Sequence, residues 1–324
     1  MKMRSWWMVA SETEARVELR ETDLPEPGPT QMLVRVRAAG VNRGEFIIGG
    51  LTKAGTAKPL GIEGAGEVVK AGAQVKRFAP GARVMGRFPG AMAEYVLAEE
   101  AQAMAVPEGM SWEEAGSLTT TYMVAHDMLL LQGGLKSGGW LLVTGVSSGV
   151  GVASLQIAKA IGARVIGTSG SREKLDKLKA LGLDVAICTR QADFQPQVMD
   201  ATGGAGVNLV VNNVGGTVFA EAVRCLAFEG RLATVGYVDN VLKAEIDLQA
   251  LHAKRLVLFG VSQKMTSPAQ KADSTRAFAE QMLPLVAAGK LRPLIDRVYP
   301  FAEFPAARAH MEANAHVGKI VITA

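Results

Sequence analysis

Apolar and polar residues alternate through Met32-Leu33-Val34-Arg35-Val36-Arg37-Ala38, the period-two sign of a half-buried strand. Pro25, Pro27, Gly28 and Pro29 precede it as a turn-rich connection. Gly64-Ala65-Gly66-Glu67-Val68-Val69 reads as a second strand, and Pro80-Gly81 turns tightly into Ala82-Arg83-Val84-Met85-Gly86. Short strands punctuated by Gly and Pro across residues 1–100 predict a small barrel-like β domain. From Ser111 the pattern changes. Ser111-Trp112-Glu113-Glu114 has the form of a capping box with Ser111 as N-cap, and a second helical stretch covers about Thr121 to Leu131.

The most informative pattern follows. Trp140-Leu141-Leu142-Val143-Thr144 runs into Gly145-Val146-Ser147-Ser148-Gly149-Val150-Gly151, and an apolar helix continues from Val152 to Ile161. That order is strand, glycine-rich turn, helix. Such a turn lets backbone approach a pyrophosphate, at which the helix N-terminus points its free N–H groups. Gly151 is read as one of the residues permitting that approach. Further strands are predicted at Arg164 to Thr168, Val185 to Cys188, Val207 to Val211, Arg231 to Val235 and Leu256 to Val261. Helices are predicted at Arg172 to Leu181 and at about 217–227 and 269–288. Six strands with intervening helices predict a doubly wound parallel sheet, so the fold class is α/β. The tail, ending in Lys319-Ile320-Val321-Ile322, is expected to return to the first domain.

Bulk properties narrow the partners. The 324 residues are enough for two domains with sizeable cores. A formal net charge of +4, without a long basic run, argues against nucleic acid as a partner. Cys188 and Cys225 are the only cysteines and are far apart, which supports neither a disulfide framework nor a cysteine-rich zinc site. A reducing, cytoplasmic setting is expected. No signal peptide and no membrane-spanning run is read.

The end of the second strand of the sheet discriminates between nicotinamide cofactors. A site preferring NAD places an acidic residue there, about 20 residues after the glycines, on the ribose 2′-hydroxyl. Here the stretch reads Thr168-Ser169-Gly170-Ser171-Arg172-Glu173-Lys174, with Ser169 at the acidic position. Hydroxyls and cations favour a 2′-phosphate that a carboxylate would repel. NADPH is therefore the expected cofactor, with Ser171 also able to cap the next helix.

With these residues in place, the chain resembles a medium-chain dehydrogenase/reductase of the zinc-free NADPH:quinone oxidoreductase (zeta-crystallin-like) branch. The resemblance spans nearly the whole length. It rests on Ala38-Ala39-Gly40-Val41-Asn42, Gly61-Ile62-Glu63-Gly64-Ala65-Gly66, Pro80-Gly81-Ala82-Arg83-Val84 and Gly90-Ala91-Met92-Ala93-Glu94-Tyr95. Ser148-Gly149-Val150-Gly151, Gln156-Ile157-Ala158-Lys159 and Val317-Gly318-Lys319 complete it. It implies a GroES-like β-barrel catalytic domain from residues 1–122 and 292–324, a Rossmann NADPH-binding domain over 123–291, and a homodimer joined at Rossmann sheet edges.

Zinc-dependent members carry Cys where this chain has Asn42 and His where it has Ile62; neither replacement ligates zinc in their place. The implied activity is metal-free hydride transfer from NADPH to quinones or α,β-unsaturated carbonyl compounds. Asn42 is the implied catalytic residue, its amide polarising a carbonyl oxygen. Phe46, Ile62 and Phe88 are candidates for the substrate wall. Cofactor contacts are expected from Ser147, Ser148, Gly149 and Val150 at the turn, and from Ser169, Gly170, Ser171 and Lys174 at the 2′-phosphate. Arg190, where members often have Tyr, either adds charge there or is a surface residue. Val214, Gly215, Gly236 and Tyr237 are expected along the nicotinamide half, with Phe259, Gly260, Val261 and Lys319 nearby. Ile47 stands near the position of an aromatic hydroxyl in many members, which makes water the expected proton source. Gly81-Ala82-Arg83-Val84-Met85-Gly86-Arg87-Phe88-Pro89-Gly90 also looks like enoyl reductase domains of polyketide synthases. A stand-alone enoyl-thioester reductase is the alternative enzyme, and a non-catalytic NADPH-binding protein the alternative class.

Overall fold

The computed structural model describes residues 1–11, 15–46 and 55–324. The chain forms two compact units: Met1–Thr121 with Thr266–Ala324, and Tyr122–Met265. The expected second crossing lay after residue 291. The helix Pro268–Ala287 packs against Glu100–Gln102 and Ala103–Ala105, which groups it with the first unit.

The first unit begins with β1 (Lys2–Ala10), β2 (Ala15–Asp23), β3 (Gln31–Gly40), β4 (Ala57–Pro59), β5 (Gly64–Ala71), β6 (Arg83–Gly86), β7 (Tyr95–Glu99) and β8 (Ala103–Ala105). Helix α1 (Trp112–His126) follows. Its capping box forms as predicted, with the Ser111 and Glu114 side chains each accepting the other's backbone N–H at 3.1 Å. The two helical stretches read from sequence are one helix, continued by a wider turn over Asp127–Leu131.

The second unit holds β9 (Trp140–Thr144), α2 (Gly149–Ala160), β10 (Arg164–Ser169), α3 (Arg172–Lys179), β11 (Val185–Cys188), α4 (Gln195–Ala201), β12 (Val207–Asn212), α5 (Phe219–Arg224), β13 (Leu226–Thr234), α6 (Leu248–Ala253) and β14 (Val257–Gly260). All six strands are parallel, in the order β11-β10-β9-β12-β13-β14. This is the doubly wound order whose direction of travel reverses between β9 and β12. Leu141, Leu142 and Val143 are wholly buried, as a central parallel strand covered on both faces requires.

The chain then returns through α7 (Pro268–Ala287), β15 (Ile295–Pro300), α8 (Phe304–Glu312) and β16 (Lys319–Thr323). As expected, the tail joins the first unit: Val321 pairs with Gly40 and Thr323 with Ala38 in the antiparallel ladder of β16 and β3. Trp6, Met8, Met32, Val34, Phe88, Met92, Phe304 and Ile320 belong to the core enclosed by these strands.

Gly151 serves packing rather than an open approach to a ligand. A Cβ there would sit 2.5 Å from the Val146 carbonyl oxygen and 2.7 Å from its carbon, so α2 is seated directly on the turn. Gly151→Val is expected to destabilise the second unit by more than the ~1–3 kcal/mol of ordinary overpacking, because backbone blocks the side chain. NADPH and NADH binding should fall together with the melting temperature. Calorimetry and fluorescence titration check this; unchanged melting with lost binding would return Gly151 to the ligand face.

Candidate functional site

The second unit places its loops at the carboxyl ends of the parallel strands, where doubly wound sheets bind ligands. After β9 the backbone turns at Gly145, and Ser148 becomes the N-cap of α2, its hydroxyl accepting the Gly151 N–H at 3.0 Å. The first bond of the helix ladder here runs from the Val152 N–H to the Ser148 carbonyl. Ser147, Ser148, Gly149 and Val150 are half-buried around this helix start. The arrangement concentrates positive helix-dipole charge and donor groups at one spot.

The next strand end gathers the expected cationic group. Ser169 pairs in register with Cys188, so β10 and β11 finish side by side. Thr189 then donates its N–H to the Ser169 carbonyl, bringing Arg190 back across the strand ends. A Cβ on Gly170 would clash with Nε and Cγ of Arg190: the arginine lies flat on a surface that only glycine leaves open. Ser169 is buried and its hydroxyl accepts the Ser171 N–H at 3.3 Å. Ser171 caps α3 by accepting the Lys174 N–H at 3.4 Å. Ser169 and Ser171 thus flank the exposed Gly170 with Arg190 lying on it and Lys174 in the first turn of α3, while the neighbouring Thr189 hydroxyl donates to Asp193 Oδ1 at 2.7 Å.

Beyond the switch point, Asn212 organises the loop after β12. Its Oδ1 accepts the N–H groups of Val214 and Gly215 and the Thr144 hydroxyl at 3.0–3.1 Å, while its Nδ2 donates to the Gly215 carbonyl. Asp239 ties this loop to the one after β13. Its N–H donates to the Val214 carbonyl, and its carboxylate accepts the Thr217 N–H and hydroxyl and the Val241 N–H. Those backbone and hydroxyl donors hold the Asp239 carboxyl below the usual range, against the effect of burial. Gly236 lies against Asn213, and Tyr237 is exposed. Phe259 and Gly260 end β14, the strand at one edge of the sheet, and Val261 is buried just after it.

The first unit builds a separate polar cluster around Asn42. The antiparallel pairing of β16 with the end of β3 carries Lys319 to the residues that follow Gly40. Lys319 Nζ approaches Glu63 Oε1 at 2.7 Å, Asn42 Oδ1 at 2.8 Å and the Val41 carbonyl at 3.4 Å. These three acceptors, all inside the unit, match the three donors of an ammonium. Lys319, for which the resemblance implies a place near the cofactor, is thus held within the first unit by Glu63, Asn42 and Val41. Glu63 is wholly buried. Its Oε1 also accepts Asn42 Nδ2 at 3.0 Å, and its Oε2 accepts the Thr120 N–H of α1 at 2.6 Å. The remaining Asn42 N–H points to the Gly40 carbonyl at 3.2 Å. A lysine can only donate and a carboxylate only accept, so the amide orientation is fixed by its neighbours.

Glu45, which the sequence reading passed over, belongs to the same cluster. It closes the short 3-10 turn Arg43–Glu45, is 3% exposed, and accepts the Gly61 N–H at 2.7 Å. Burial pushes its carboxyl up to about 7; Glu63 adds to the rise, while the Gly61 N–H, Lys319 and Asn42 oppose it. Ile62 is half-buried between Gly61 and Glu63. Phe46 is half-buried against Phe304, its ring covered by Arg308. Phe88 is corrected: it is wholly buried in the barrel core, not on a wall open to ligand, because the turn after β6 directs its ring inward. Ile47 lies outside the described residues. Among the described residues, no group of three or more His, Cys, Asp or Glu side chains is arranged to hold a metal ion.

Comparison with known proteins matches both units. The alcohol dehydrogenase GroES-like domain family matches residues 28–108, and the zinc-binding dehydrogenase family matches residues 149–280. Erythronolide synthase EryA2 of Saccharopolyspora erythraea is 32% identical over 295 residues, covering 90% of this chain and 8% of the synthase. The chain spans 8–15% of the length of the curated polyketide synthases it matches. Mycobacterial Rv1454c, solved complexed with NADPH, superposes with a TM-score of 0.89 at 26% identity, covering 99% of this chain and 100% of that one. A quinone oxidoreductase of Pseudomonas syringae pv. Tomato DC3000 gives a TM-score of 0.88 at 26% identity over the same shares. With a GroES-like β unit, a parallel sheet in doubly wound order, and both families matched in their expected places, the chain belongs to the medium-chain dehydrogenase/reductase superfamily.

Proposed function

We propose that this protein is a zinc-independent, NADPH-dependent reductase of quinones or α,β-unsaturated carbonyl compounds. The observation that carries the cofactor choice is the strand end where Arg190 lies on Gly170 beside Ser169, Ser171 and Lys174. Its donor set fits a phosphomonoester dianion, which accepts hydrogen bonds and pairs with guanidinium and ammonium groups. The start of α2 fits the pyrophosphate, and the loops tied by Asp239 fit the nicotinamide half. NADPH bound there supplies the hydride.

In this reading Asn42 acts on the acceptor. Glu63 and Lys319 hold its amide in one orientation, and the longer bond to the Gly40 carbonyl is the one an acceptor oxygen exchanges for its own. The N–H then meets negative charge as it develops on that oxygen. Phe46 and Ile62 supply apolar wall, and water supplies the proton. Metal independence rests on the donor chemistry of Asn42 and Ile62, an amide and an alkyl group where zinc members have thiolate and imidazole. The exposed edge of β14 is proposed as the homodimer contact and the cytoplasm as the setting. No helix among the described residues is long and apolar enough to cross a membrane.

The identity to a polyketide synthase over most of this chain favours one second reading, reduction of an enoyl thioester. Turnover of a quinone and of a crotonyl thioester under the same conditions separates the two enzymes. Cofactor binding without turnover of either identifies a binding protein.

A further inference from the structure

We propose that Asp239 is a positioning residue: from the loop after β13 it caps the turn after β12, and so holds the nicotinamide ring at the angle its hydride needs. The proposal rests on the reductase reading above and adds to it the residue that sets ring placement.

The geometry is a cap supplied by a second loop. Gly215 stands at the N-cap of the short 3-10 turn Gly216–Val218, with φ 126° and ψ −147°. That conformation suits glycine alone, which brings no side chain to cap the turn. Asp239 caps it instead. Its Oδ2 accepts the Thr217 N–H at 2.8 Å and the Thr217 hydroxyl at 2.6 Å, and its Oδ1 accepts the Val241 N–H at 2.9 Å. A Cβ on Gly215 would collide with Asp239 Oδ1, so a side chain at 215 and this carboxylate could not coexist.

The two loops are held differently. The first is anchored to the sheet, because Asn212 Oδ1 accepts the Val214 and Gly215 N–H groups and the Thr144 hydroxyl. The second has little apolar packing to fix it: Tyr237, Val238 and Leu242 are 42%, 54% and 72% exposed. Among the described residues, four hydrogen bonds join residues 237–243 to the first loop. Two come from Thr217 to the Asp239 carboxylate, one from the Asp239 N–H to the Val214 carbonyl at 3.0 Å, and one from the Gly216 N–H to the Val241 carbonyl at 3.0 Å. Each runs through Asp239 or through Val241, whose own N–H the carboxylate holds. Loss of the carboxylate therefore frees the second loop while Asn212 keeps the first in place. On the reductase reading the ring loses one of its two walls. The start of α2 and the strand end at Gly170, which fit the phosphates, are unchanged.

The test compares wild type with Asp239→Ala, with Thr217→Val and with Thr217→Ser, which keeps the hydroxyl. With NADPH and 1,4-benzoquinone, kcat is expected to fall on the order of 10- to 100-fold in Asp239→Ala, as for reacting groups displaced by about 1 Å. KM for NADPH should stay within roughly threefold, since the phosphate contacts remain. The isotope effect on kcat from NADPH deuterated at the transferred hydrogen should rise, because hydride transfer then limits turnover. Thr217→Val should lose kcat in the same direction but by less, and Thr217→Ser should restore it. The fluorescence anisotropy of bound NADPH, read without any acceptor, should fall in Asp239→Ala as the ring gains nanosecond motion. Unchanged kcat and anisotropy in Asp239→Ala would overturn the proposal. So would a joint loss of kcat, NADPH affinity and melting temperature, which would mark Asp239 as merely structural. If wild type reduces no quinone, enone or crotonyl thioester, the reductase reading fails, and the anisotropy alone decides whether Asp239 holds the ring. Should Asp239→Ala not fold, the Thr217 variants take its place, and equal kcat in Thr217→Val and wild type overturns the proposal.

Discussion

Lys319→Met is expected to cost about 3–5 kcal/mol of stability, because it strands the Glu63 carboxylate in the barrel interior without its cation. The melting temperature should fall on the order of 10 °C. Glu63 has no route to water in the folded state: it is wholly buried, with one oxygen on the Thr120 N–H and the other shared by Lys319 and Asn42. Adding Glu63→Gln to Lys319→Met should recover part of the loss, since a neutral amide oxygen still accepts from Thr120 and no bare charge remains. A double mutant less stable than the sum of its parents would show that the pair is not coupled as described. The expected pattern also separates stability from placement. The double mutant should melt above Lys319→Met yet remain slow, because Asn42 Oδ1 has lost the donor that fixed its amide.

The second large effect falls on cofactor choice. Lys174→Glu combined with Arg190→Glu should weaken NADPH by roughly 100-fold or more, since two charge-assisted contacts worth about 1.5–3 kcal/mol each become repulsive. NADH, which lacks the 2′-phosphate, should change by only a few-fold. The mechanism is local. Arg190 lies on Gly170 and Lys174 sits in the first turn of α3, so neither substitution touches the start of α2 where the pyrophosphate is placed. Equal losses for both cofactors would mean that the substitutions disturb the strand ends rather than a phosphate contact.

The second unit was largely legible in the sequence. An uninterrupted apolar run before a glycine turn has few structural solutions, and Val185 to Cys188 forms as a strand with the predicted bounds. Ser169 stood out because a carboxylate was missing. The seating of Arg190 on Gly170 was not readable, since it depends on the register that ends β10 and β11 together. The Asn42 cluster was readable only in part. Asn42 was visible as a departure from a thiolate position, but Glu45, Glu63 and Lys319 meet through the ladder of β16 on β3, a contact across almost the whole chain. Glu45 gave no local signal beyond one acid in a short turn. Lys319 was named only through the resemblance, and its bond to a buried carboxylate was not readable from the residues around it. An aromatic residue suits a substrate wall and a core equally, and the ring of Phe88 fills the core.

The most direct test is steady-state oxidation of NADPH and of NADH with 1,4-benzoquinone, 9,10-phenanthrenequinone and a simple enone, without added metal and again with a chelator. Turnover that strongly favours NADPH and is unchanged by the chelator is the predicted result. Equal use of NADH, or activity abolished by the chelator and restored by zinc, would contradict the assignment of a zinc-independent NADPH-dependent reductase.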